Sequence, residues 1–367
     1  MSDPVSRRRD VTVADVAREA QVSKAQAARA LGGYGAVSED VRERVLAAAE
    51  QLNYRPNELA RTMNTGKSNT IGVVVGDIEN PHFGLAMRGI SDTAKTAGFD
   101  VILINTGEDL DAEREAVRVL LDKRVDGLIV APASSIETDH LQRVSESRRP
   151  LVLFDRKAAG LEMDVVAADM TEVARESTEY LIRRGHERIA FISTVDADSP
   201  YREGMTVGSS QISERLAGMG RAFQQAGLSL PEDLIRLNAG NAESIKRVTR
   251  EVLDGPQPAT AVVASDGLVG LSVVEAIQEM GKQMPADISF LMYDNFAWTK
   301  LTTPPLTVIA QPVYDMGAAA ARILIRRIRQ PGAATTPPAE FTASLIVRGS
   351  IGAPAPVTPS GAIAVRS

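Results

Sequence analysis

Residues 11–31 read VTVADVAREAQVSKAQAARAL, and their spacing predicts two short helices joined by a tight turn. The apolar residues of the first helix recur at i, i+3, i+4 and i+7, which is one helical face; they are Val13, Val16, Ala17 and Ala20. Thr12 precedes this face and Asp15 lies three residues later, a pair typical of a capping box. After the turn Gln21-Val22-Ser23, the hydroxyl of Ser23 is suited to cap a second helix over Lys24–Leu31. Two helices separated by such a turn indicate a helix-turn-helix.

A third helix is expected after the glycine-rich stretch 32–35, beginning at Ser38 and stopped by Pro56. In a helix-turn-helix the second helix lies in the major groove of DNA, and its leading side chains reach base edges. The candidate base contacts on that helix are Lys24, Ala25, Gln26 and Arg29. Arg29 can donate two hydrogen bonds to one guanine. The pattern alone leaves open an ordinary three-helix bundle with an exposed polar helix.

Beyond Thr70, short apolar runs alternate with amphipathic stretches. The predicted strands are Ile71–Val75, Val101–Ile104, Gly127–Val130, Leu151–Phe154, Ile189–Ile192, Ala261–Ala264 and Ile288–Tyr293. The predicted helices are Phe83–Ala97, Ala112–Lys123, Leu141–Ser147, Arg215–Gln225, Leu268–Met280 and Val313–Arg329. Continuous apolar strands with helical crossovers indicate parallel sheets covered on both faces. Two successive runs of this alternation predict two similar α/β lobes, with ligands in the cleft beyond the carboxyl ends of the strands.

Composition and charge narrow the class of protein. The 367 residues suit two or three domains, and 44% hydrophobic with 24% charged residues is typical of a soluble globular chain. Residues 1–68 carry 11 Lys/Arg and 9 Asp/Glu, whereas the remainder carries 30 and 38. A mildly basic head on an acidic body fits a nucleic-acid module attached to another domain. The first ten residues, MSDPVSRRRD, lack the apolar region of a secretory signal, and no run is long enough for a membrane helix, so we expect a cytoplasmic protein.

Several kinds of site are not expected. The absence of cysteine excludes disulfides and thiolate metal sites, and three scattered histidines argue against zinc, so we predict no metal and no cofactor. Residues 65–68, TGKS, resemble the end of a phosphate-binding P-loop, but Arg61 occupies the position of its first glycine and no strand precedes it. The chain also lacks a Gly-x-Ser-x-Gly nucleophile elbow. We therefore do not predict an enzyme.

The chain resembles the lactose-repressor (LacI/GalR) family, and the matching motifs follow in order through nearly the whole sequence. In the head they are VTVADVA (11–17), VSK (22–24), RAL (29–31), VS (37–38), VRERV (41–45), LNYRPN (52–57), AR (60–61) and TGKSNTIG (65–72). Further on they are NP (80–81), VDGLI (125–129), RLAG (215–218), PPLT (304–307) and VRG (347–349). The resemblance implies an all-α helix-turn-helix head followed by a periplasmic-binding-protein-like α/β effector domain of two parallel-sheet lobes.

Four segments follow from this resemblance. They are the DNA-binding domain (1–56), a hinge helix or linker (57–69), the effector-binding and dimerisation domain (70–350) and a tail (351–367) whose Ala-, Pro-, Ser- and Gly-rich composition predicts disorder. The implied function is that of a sequence-specific DNA-binding transcription regulator, a repressor. It would bind palindromic operator DNA as a homodimer and respond to a small polar effector, a sugar or sugar derivative.

The family's hinge helix binds the minor groove, and here it would run over residues 57–64. Relatives place a leucine at its centre as a wedge between base pairs; this chain has Met63, which is apolar and adaptable. Thr12, Ser23, Asn57 and Arg61 complete the predicted DNA contacts. The head departs from the family at Gln21, where relatives carry glycine and a left-handed backbone is suited. It departs again at residues 26–28, QAA in place of Thr-Val-Ser, so the operator of a relative cannot be transferred.

In the effector domain, Arg215 matches the family arginine that grips the effector, and Asp294 matches the carboxylate that accepts hydrogen bonds from sugar hydroxyls. Further candidates come from strand ends (Asp155, Arg156), from the position near the family's Asn-Asp pair (Asp266) and from aromatic faces for a pyranose ring (Phe83, Trp298). The segment 196–212 is longer than the usual connection. It is either part of the effector specificity, with Arg202 as a ligand for an anionic group, or a surface loop.

Two other classes of protein share part of this pattern. A solute-binding protein of a sugar transporter has the same two-lobed fold, but it would carry a secretory signal and lack the helical head. A sugar-processing enzyme would need a catalytic constellation, and none is recognised in the sequence. Both alternatives are therefore disfavoured.

Overall fold

A computed structural model of the chain describes residues 11–32, 35–54, 66–161, 163–332 and 341–355. The chain forms two units, Met1–Asn69 and Thr70–Ser367. Three of the predicted DNA contacts, Asn57, Arg61 and Met63, lie outside the described residues, as do residues 356–367 of the tail.

The described part of the first unit contains three helices around a core of small apolar side chains. They are α1 (Val13–Glu19), α2 (Lys24–Gly32) and α3 (Glu39–Gln51). Val16, Ala27 and Val45, one from each helix, are fully buried. The apolar stripe predicted from the sequence is therefore the face that holds the head together.

The two helices of the helix-turn-helix begin as the sequence predicts. The Asp15 carboxylate accepts hydrogen bonds from the N–H and the hydroxyl of Thr12, at 3.0 and 2.7 Å. At the second helix, the N–H of Gln26 donates to Ser23 Oγ at 3.1 Å, and Ser23 donates back to the Gln26 amide oxygen. Each pair is a capping box, which satisfies N–H groups that have no partner within the helix.

The turn between α1 and α2 bends at Gln21, whose φ of +53° confirms the left-handed backbone expected there. A residue other than glycine adopts this conformation at a cost of about 1–2 kcal/mol. The third helix ends earlier than predicted, at Gln51 rather than at Pro56. Asn53 has a φ of +51°, and the N–H of Tyr54 donates to the carbonyl of Ala49, so a left-handed cap ends the helix before the proline is reached.

In the second unit, the first lobe is a parallel sheet of five strands in the order β2-β1-β3-β4-β5. The strands are β1 (Thr70–Val75), β2 (Asp100–Asn105), β3 (Gly127–Val130), β4 (Leu151–Phe154) and β5 (Asp164–Val166). The helices between them are α4 (Pro81–Thr96), α5 (Leu110–Asp122) and α6 (Asp139–Glu146). The apolar residues of β1, β3 and β4 are buried, as the apolar runs predict, whereas those of the edge strand β2 are half-buried.

The second lobe repeats this arrangement. Its strands are β7 (Ile189–Ile192), β8 (Ile235–Arg236), β9 (Ala261–Ala264), β10 (Ser289–Tyr293), β11 (Thr307–Ala310) and the antiparallel edge strand β13 (Ser344–Ile346). They lie in the order β13-β11-β10-β9-β7-β8. The helices are α7 (Thr171–Ile182), α8 (Ser210–Gln225), α9 (Ala242–Asp254) and α10 (Gly267–Glu279), with 3-10 turns at Glu232–Leu234 and Ala297–Lys300. In this repeat, β10 is the counterpart of β4.

The last long helix does not cover the second lobe, to whose run of elements the sequence assigned it. After β11 the chain returns to the first lobe, where α11 (Val313–Arg329) packs on α4 and on β3, β4 and β5. Two glycines permit this close packing. A Cβ on Gly89 would lie 2.1 Å from the carbonyl oxygen of Tyr314, and one on Gly317 would lie 2.2 Å from that of Ala86.

Two short strands lie where the chain passes between the lobes: β6 (Ala168–Asp169) pairs with β12 (Phe341–Thr342). After β12 the chain continues onto the second lobe. The predicted disorder is wrong for residues 351–355. Ile351 is buried, and the Gly352 carbonyl accepts a hydrogen bond from His186. The N–H of Gly352 also donates to Ser289 Oγ at 3.0 Å, so one buried side chain and two backbone contacts hold residues 351–352 on the second lobe.

Candidate functional site

The helix α2 presents a polar face in the first unit. Lys24, Ala25, Gln26 and Arg29 are exposed, while Ala27 and Ala30 of the same helix are buried. The aliphatic part of Arg29 lies beside Gly35, where a Cβ would be only 3.3 Å from Arg29 Cδ. The turn after the helix thus supports the stem of Arg29, and the predicted base-reading side chains share one accessible surface.

Three of the polar residues predicted to contact DNA already have partners within the head. The hydroxyl of Thr12 donates to Asp15, and that of Ser23 donates to the Gln26 amide oxygen. Gln26 accepts there, so its amide N–H groups are the part that can donate to DNA. Thr12 and Ser23 stand at the N-terminal ends of α1 and α2, where helix dipoles favour phosphate.

Two aspartates occupy the same position in the two lobes. Asp155 follows β4 and Asp294 follows β10, and their φ angles are +63° and +79°. Each N–H donates at 2.8 Å to a carbonyl of the next strand, Val166 for Asp155 and Ile309 for Asp294. Aspartate adopts the left-handed region more readily than most residues. This turn brings both side chains to the carboxyl edges of the sheets.

Between these aspartates lies His82, which the sequence analysis did not select. Its Nε2 is 3.2 Å from Asp155 Oδ1, and its Nδ1 is 3.6 Å from Asp294 Oδ1. All three side chains are less than 10% exposed. His82 belongs to the first turn of α4, where the Asn80 side chain accepts from its N–H at 3.0 Å. One imidazole therefore contacts a carboxylate from each lobe.

The surroundings of His82 determine its charge. Burial opposes that charge, but the carboxylates of Asp155 and Asp294 outweigh burial and raise the pKa of His82 to about 10. Burial likewise acts to raise the pKa of Asp155, but pairing with His82 lowers it to about 2. The ring is an imidazolium between two carboxylates at neutral pH.

Arg215 and Gln211 reach the cleft from one face of α8. The Arg215 guanidinium lies 4.0 Å from the centre of the Tyr293 ring and donates to the carbonyl of Ser265. Gln211 Nε2 donates to the backbone carbonyl of Asp155 at 2.5 Å, which is a contact from the second lobe to the first. Gln211 was not predicted, although it lies one turn from Arg215.

Two other predicted effector residues, Arg156 and Asp266, make hydrogen bonds or ion pairs within their own lobe. Arg156 makes a bidentate pair with Glu108 at 2.5 and 2.8 Å, and its Nε is 3.7 Å from Asp155. Asp266 caps α10 by accepting from the N–H groups of Leu268 and Val269 at 2.9 and 3.0 Å. Burial raises the pKa of Asp266. Both residues border the cleft and hold its walls in place.

The two predicted aromatic platforms lie against hydrophobic cores. Phe83 is 2% exposed and belongs to the core cluster of the lobes, where it meets the His82 ring edge-on at 5.3 Å. Trp298 packs against the core of the second lobe. Phe83 therefore supports His82 and presents no open face, whereas Trp298 is only partly buried.

Four of the seven buried polar atoms that lack a hydrogen-bond partner among the described residues lie in the cleft. They are His82 Nε2, Asp155 Oδ1, Gln211 Oε1 and Arg215 Nε. The first two are 3.2 Å apart and form an ion pair, but they do not make a hydrogen bond. Because buried polar groups in folded proteins nearly always have partners, this set of two donors and two acceptors indicates a place for a polar ligand.

The long segment 196–212 is ordered on the second lobe and reaches the first. Tyr201 and Val207 are buried, whereas Arg202 is 75% exposed and pairs with Glu232 at 2.8 Å. The Gly208 carbonyl accepts from the N–H of Ser135 at 2.7 Å. Arg202 is thus engaged in a surface ion pair, and the end of the segment borders the cleft.

The pKa of His82 leads to a prediction about stability. Because this pKa is raised above 6.5, the ion pairs stabilise the fold fully below pH 6.5, and their contribution is lost as the pH rises through about 10. The loss is at most about 1.4 kcal/mol per pH unit in that window. We expect the gap in free energy of unfolding between wild type and His82→Gln to narrow as the pH rises above 6.5.

Urea unfolding followed by the fluorescence of Trp298, the one tryptophan of the chain, measures this gap. His186→Gln is the matched control, since burial lowers the pKa of His186 and its charge is therefore lost at lower pH. Stability curves of wild type and His82→Gln that run parallel above pH 6.5 would contradict the assignment of the charge to His82.

The described residues contain no group of three or more His, Asp or Glu side chains placed to hold a metal ion. Among the helices in the described ranges, none combines the length and apolar character needed to cross a membrane.

Comparison with known proteins matches both units of the chain. Residues 12–57 match the bacterial regulatory proteins of the lacI family, and residues 68–346 match the periplasmic binding proteins and sugar binding domain of the LacI family. Catabolite control protein A of Priestia megaterium is 30% identical over 317 residues, which cover 86% of this chain and 92% of that protein. The HTH-type transcriptional regulator KdgR of Bacillus subtilis is 31% identical over 347 residues, covering 93% and 97%.

A solved structure extends the similarity to the fold. The Lac repressor dimer bound to operator and the anti-inducer ONPF superimposes with a TM-score of 0.79 at 25% identity. The match covers 94% of this chain and all of that one.

Proposed function

This chain belongs to the LacI family of bacterial DNA-binding transcription regulators, and from that premise we propose that it is a repressor controlled by a polyhydroxylated effector. The family resemblance seen in the sequence is confirmed, as are the helix-turn-helix head and the two parallel-sheet lobes. A transporter's solute-binding protein shares the lobes but has no such head, so that alternative is disfavoured.

The observation that carries the effector proposal is a set of cleft atoms without a hydrogen-bond partner. Gln211 Oε1 is an acceptor and Arg215 Nε a donor, and beside them His82 Nε2 and Asp155 Oδ1 face each other at 3.2 Å as an ion pair that makes no hydrogen bond. A hydroxyl group both donates and accepts, so a molecule with several hydroxyls can satisfy all four atoms. A sugar or sugar derivative has this chemistry, and Asp294 lies on the opposite side of His82 to receive a further hydroxyl.

The DNA proposal rests on the exposed face of α2. Lys24, Ala25, Gln26 and Arg29 would contact bases or phosphates, with Thr12 and Ser23 beside the phosphates. From the resemblance we add Asn57, Arg61 and Met63 of the hinge, with Met63 as the minor-groove wedge. One helix-turn-helix reads few bases, so we propose a homodimer on a palindrome, like the Lac repressor dimer on its operator.

Two further points belong to this proposal. Family members are DNA-binding regulators, and we assign the chain no enzymatic role, because the cleft residues serve binding and the sequence carries no catalytic motif. We place the protein in the cytoplasm, where a bacterial operator lies.

A screen followed by a binding assay tests the function. Purified protein is heated with neutral sugars, sugar acids and sugar phosphates, since a ligand at 100 times its Kd stabilises the folded state by about 2.7 kcal/mol. A duplex selected from random DNA then reports operator affinity with and without each stabilising compound. We expect at least one compound to raise the melting temperature and to change operator affinity. Arg202→Ala, which alters an exposed residue outside the set of unpaired atoms, should respond as wild type does.

Failure of the proposal has a clear form. If selection yields no duplex that binds more tightly than random DNA, the regulator assignment is wrong. If a compound binds the cleft tightly yet leaves operator affinity unchanged, effector control is wrong, because a ligand shifts an equilibrium only by its difference in affinity for the two states.

A further inference from the structure

His82 forms a bridge between the two lobes. His82 and Asp155 belong to the first lobe and Asp294 to the second, and all three side chains are buried. The ring sits against aromatic side chains, Phe83 edge-on at 5.3 Å and Phe154 at 6.2 Å. This packing restricts the imidazole to the space between the two carboxylates.

The carboxylates cannot face each other in a buried site without a cation. Like charges repel strongly where water is excluded. The nearby guanidinium groups do not join the two carboxylates: Arg156 is paired with Glu108 and lies 3.7 Å from Asp155, and Arg215 stacks on Tyr293 and donates to Ser265. His82 is the charged group that contacts Asp155 and Asp294 together.

We propose that His82 is a built-in cation that holds the effector-free cleft closed, and that an effector binds by displacing at least one of its two carboxylate contacts. The inference rests on the proposed function, since it concerns the same cleft. Neither contact is a hydrogen bond, because Nε2 and Asp155 Oδ1 have no hydrogen-bond partner although they are 3.2 Å apart, and Nδ1 is 3.6 Å from Asp294. A ligand hydroxyl can therefore replace a contact of His82 with a better one, and the effector would act on the same bridge that sets the closure.

Other contacts between the lobes limit how far the cleft opens when the bridge is lost. Near the start of α8, Lys157 pairs with Glu214 at 2.5 Å, and the N–H of Ser210 donates to Ser135 Oγ at 2.8 Å. Gln211 donates to the backbone of Asp155. Loss of His82 should therefore move the two lobes somewhat further apart, while these other contacts still hold them together.

The distance between the lobes tests the proposal without effector or DNA. The chain has no cysteine, so Asp122→Cys on α5 and Arg247→Cys on α9 allow one spin label on each lobe. Both positions are well exposed, at 66% and 62%. Pulsed dipolar spectroscopy of the full-length protein, with the labelled chain diluted in an excess of unlabelled chain so that a dimer holds one labelled copy, should give one narrow distance. With His82→Gln, and separately with Asp294→Asn, we expect a second and longer distance to appear.

Two further variants test whether the charge of His82 is what keeps the distance between the lobes short. His82→Lys keeps a cation and should restore most of the narrow distance. His140→Gln removes another buried histidine, one that pairs with Glu113 inside the first lobe, and should leave the distance unchanged. The proposal is overturned if neither His82→Gln nor Asp294→Asn lengthens the distance, or if His140→Gln lengthens it equally. It is also overturned if His82→Lys behaves like His82→Gln, because the charge would then not be the cause.

Failure here and failure of the proposed function are distinguishable. The distance measurement reports only on closure, whereas the ligand screen and the operator assay report on sensing. Unchanged distances together with a responsive operator assay would remove the His82 bridge and leave the regulator assignment intact.

Discussion

Arg29→Ala should remove most of the preference of this protein for its operator over random DNA while the effector domain remains folded. Arg29 is exposed on α2, the helix expected in the major groove, and its stem lies against the turn at Gly35. A bidentate arginine–guanine contact contributes about 1–3 kcal/mol of discrimination. Two heads of a homodimer double this, so we expect a loss of roughly 30-fold to 10⁴-fold in the ratio of specific to random binding. Fluorescence anisotropy with both duplexes at one salt concentration measures the ratio.

Arg18→Ala is the matched control for Arg29→Ala. It removes the same charge from the same unit, but Arg18 lies on α1 and pairs with Asp15. We expect it to weaken binding to both duplexes by a similar small factor, because a general charge effect does not depend on sequence. A ratio for Arg29→Ala no lower than that for Arg18→Ala would show that Arg29 does not read a base.

The head could be predicted almost completely from sequence because its determinants are local. Caps lie three residues apart, the apolar stripe repeats with the helical period, and Gln21 bends the chain at a single position. The end of α3 was misplaced since the left-handed residue Asn53 ends the helix before Pro56 can act. This cap depends on the hydrogen bond from the N–H of Tyr54 to the carbonyl of Ala49, which cannot be predicted from the presence of an asparagine alone.

The lobes were predicted as a class, but their connectivity was not. Alternation of strands and helices identifies parallel sheets, yet it does not say which sheet a helix covers. The return of α11 to the first lobe depends on close packing of Gly89 against Tyr314 and of Gly317 against Ala86, residues far apart in sequence. Ile351 likewise anchors the segment 351–355 through its burial on a lobe formed by earlier residues.

In the cleft, the sequence located the ends of the strands but not the partners of their side chains. Asp155, Asp294 and Arg215 do lie around one space. His82 was missed because a lone histidine has no pattern, although a usable signal existed. It stands in the first turn of the helix after β1, where the rule that ligands bind beyond strand ends also applies. Arg156 was selected by the same rule. Its ion pair with Glu108 is a contact between residues far apart in sequence, so the sequence pattern could not predict it.

Asp294→Ala should still bind operator, but its operator affinity should no longer change at effector concentrations that saturate wild type. The Asp294 carboxylate is buried, contacts His82, and accepts from the N–H of Gly267 at 3.3 Å. Its loss leaves a ligand hydroxyl and the His82 imidazolium without an acceptor, a penalty of roughly 1–3 kcal/mol or more. This corresponds to a loss in effector affinity of about 5-fold to 150-fold, with a further loss of coupling because Asp294 joins the lobes. Operator binding titrated with the effector found in the screen measures both changes.

The backbone at Asp294 determines which variants accompany this test. Its φ of +79° is strained for alanine but acceptable for asparagine, so Asp294→Asn separates the loss of charge from the loss of local structure. Asp233→Ala removes an exposed carboxylate of the same lobe, one that pairs with Arg188, and should respond as wild type does. If Asp294→Ala and Asp294→Asn both release operator at the wild-type effector concentration, Asp294 neither binds the effector nor transmits its presence.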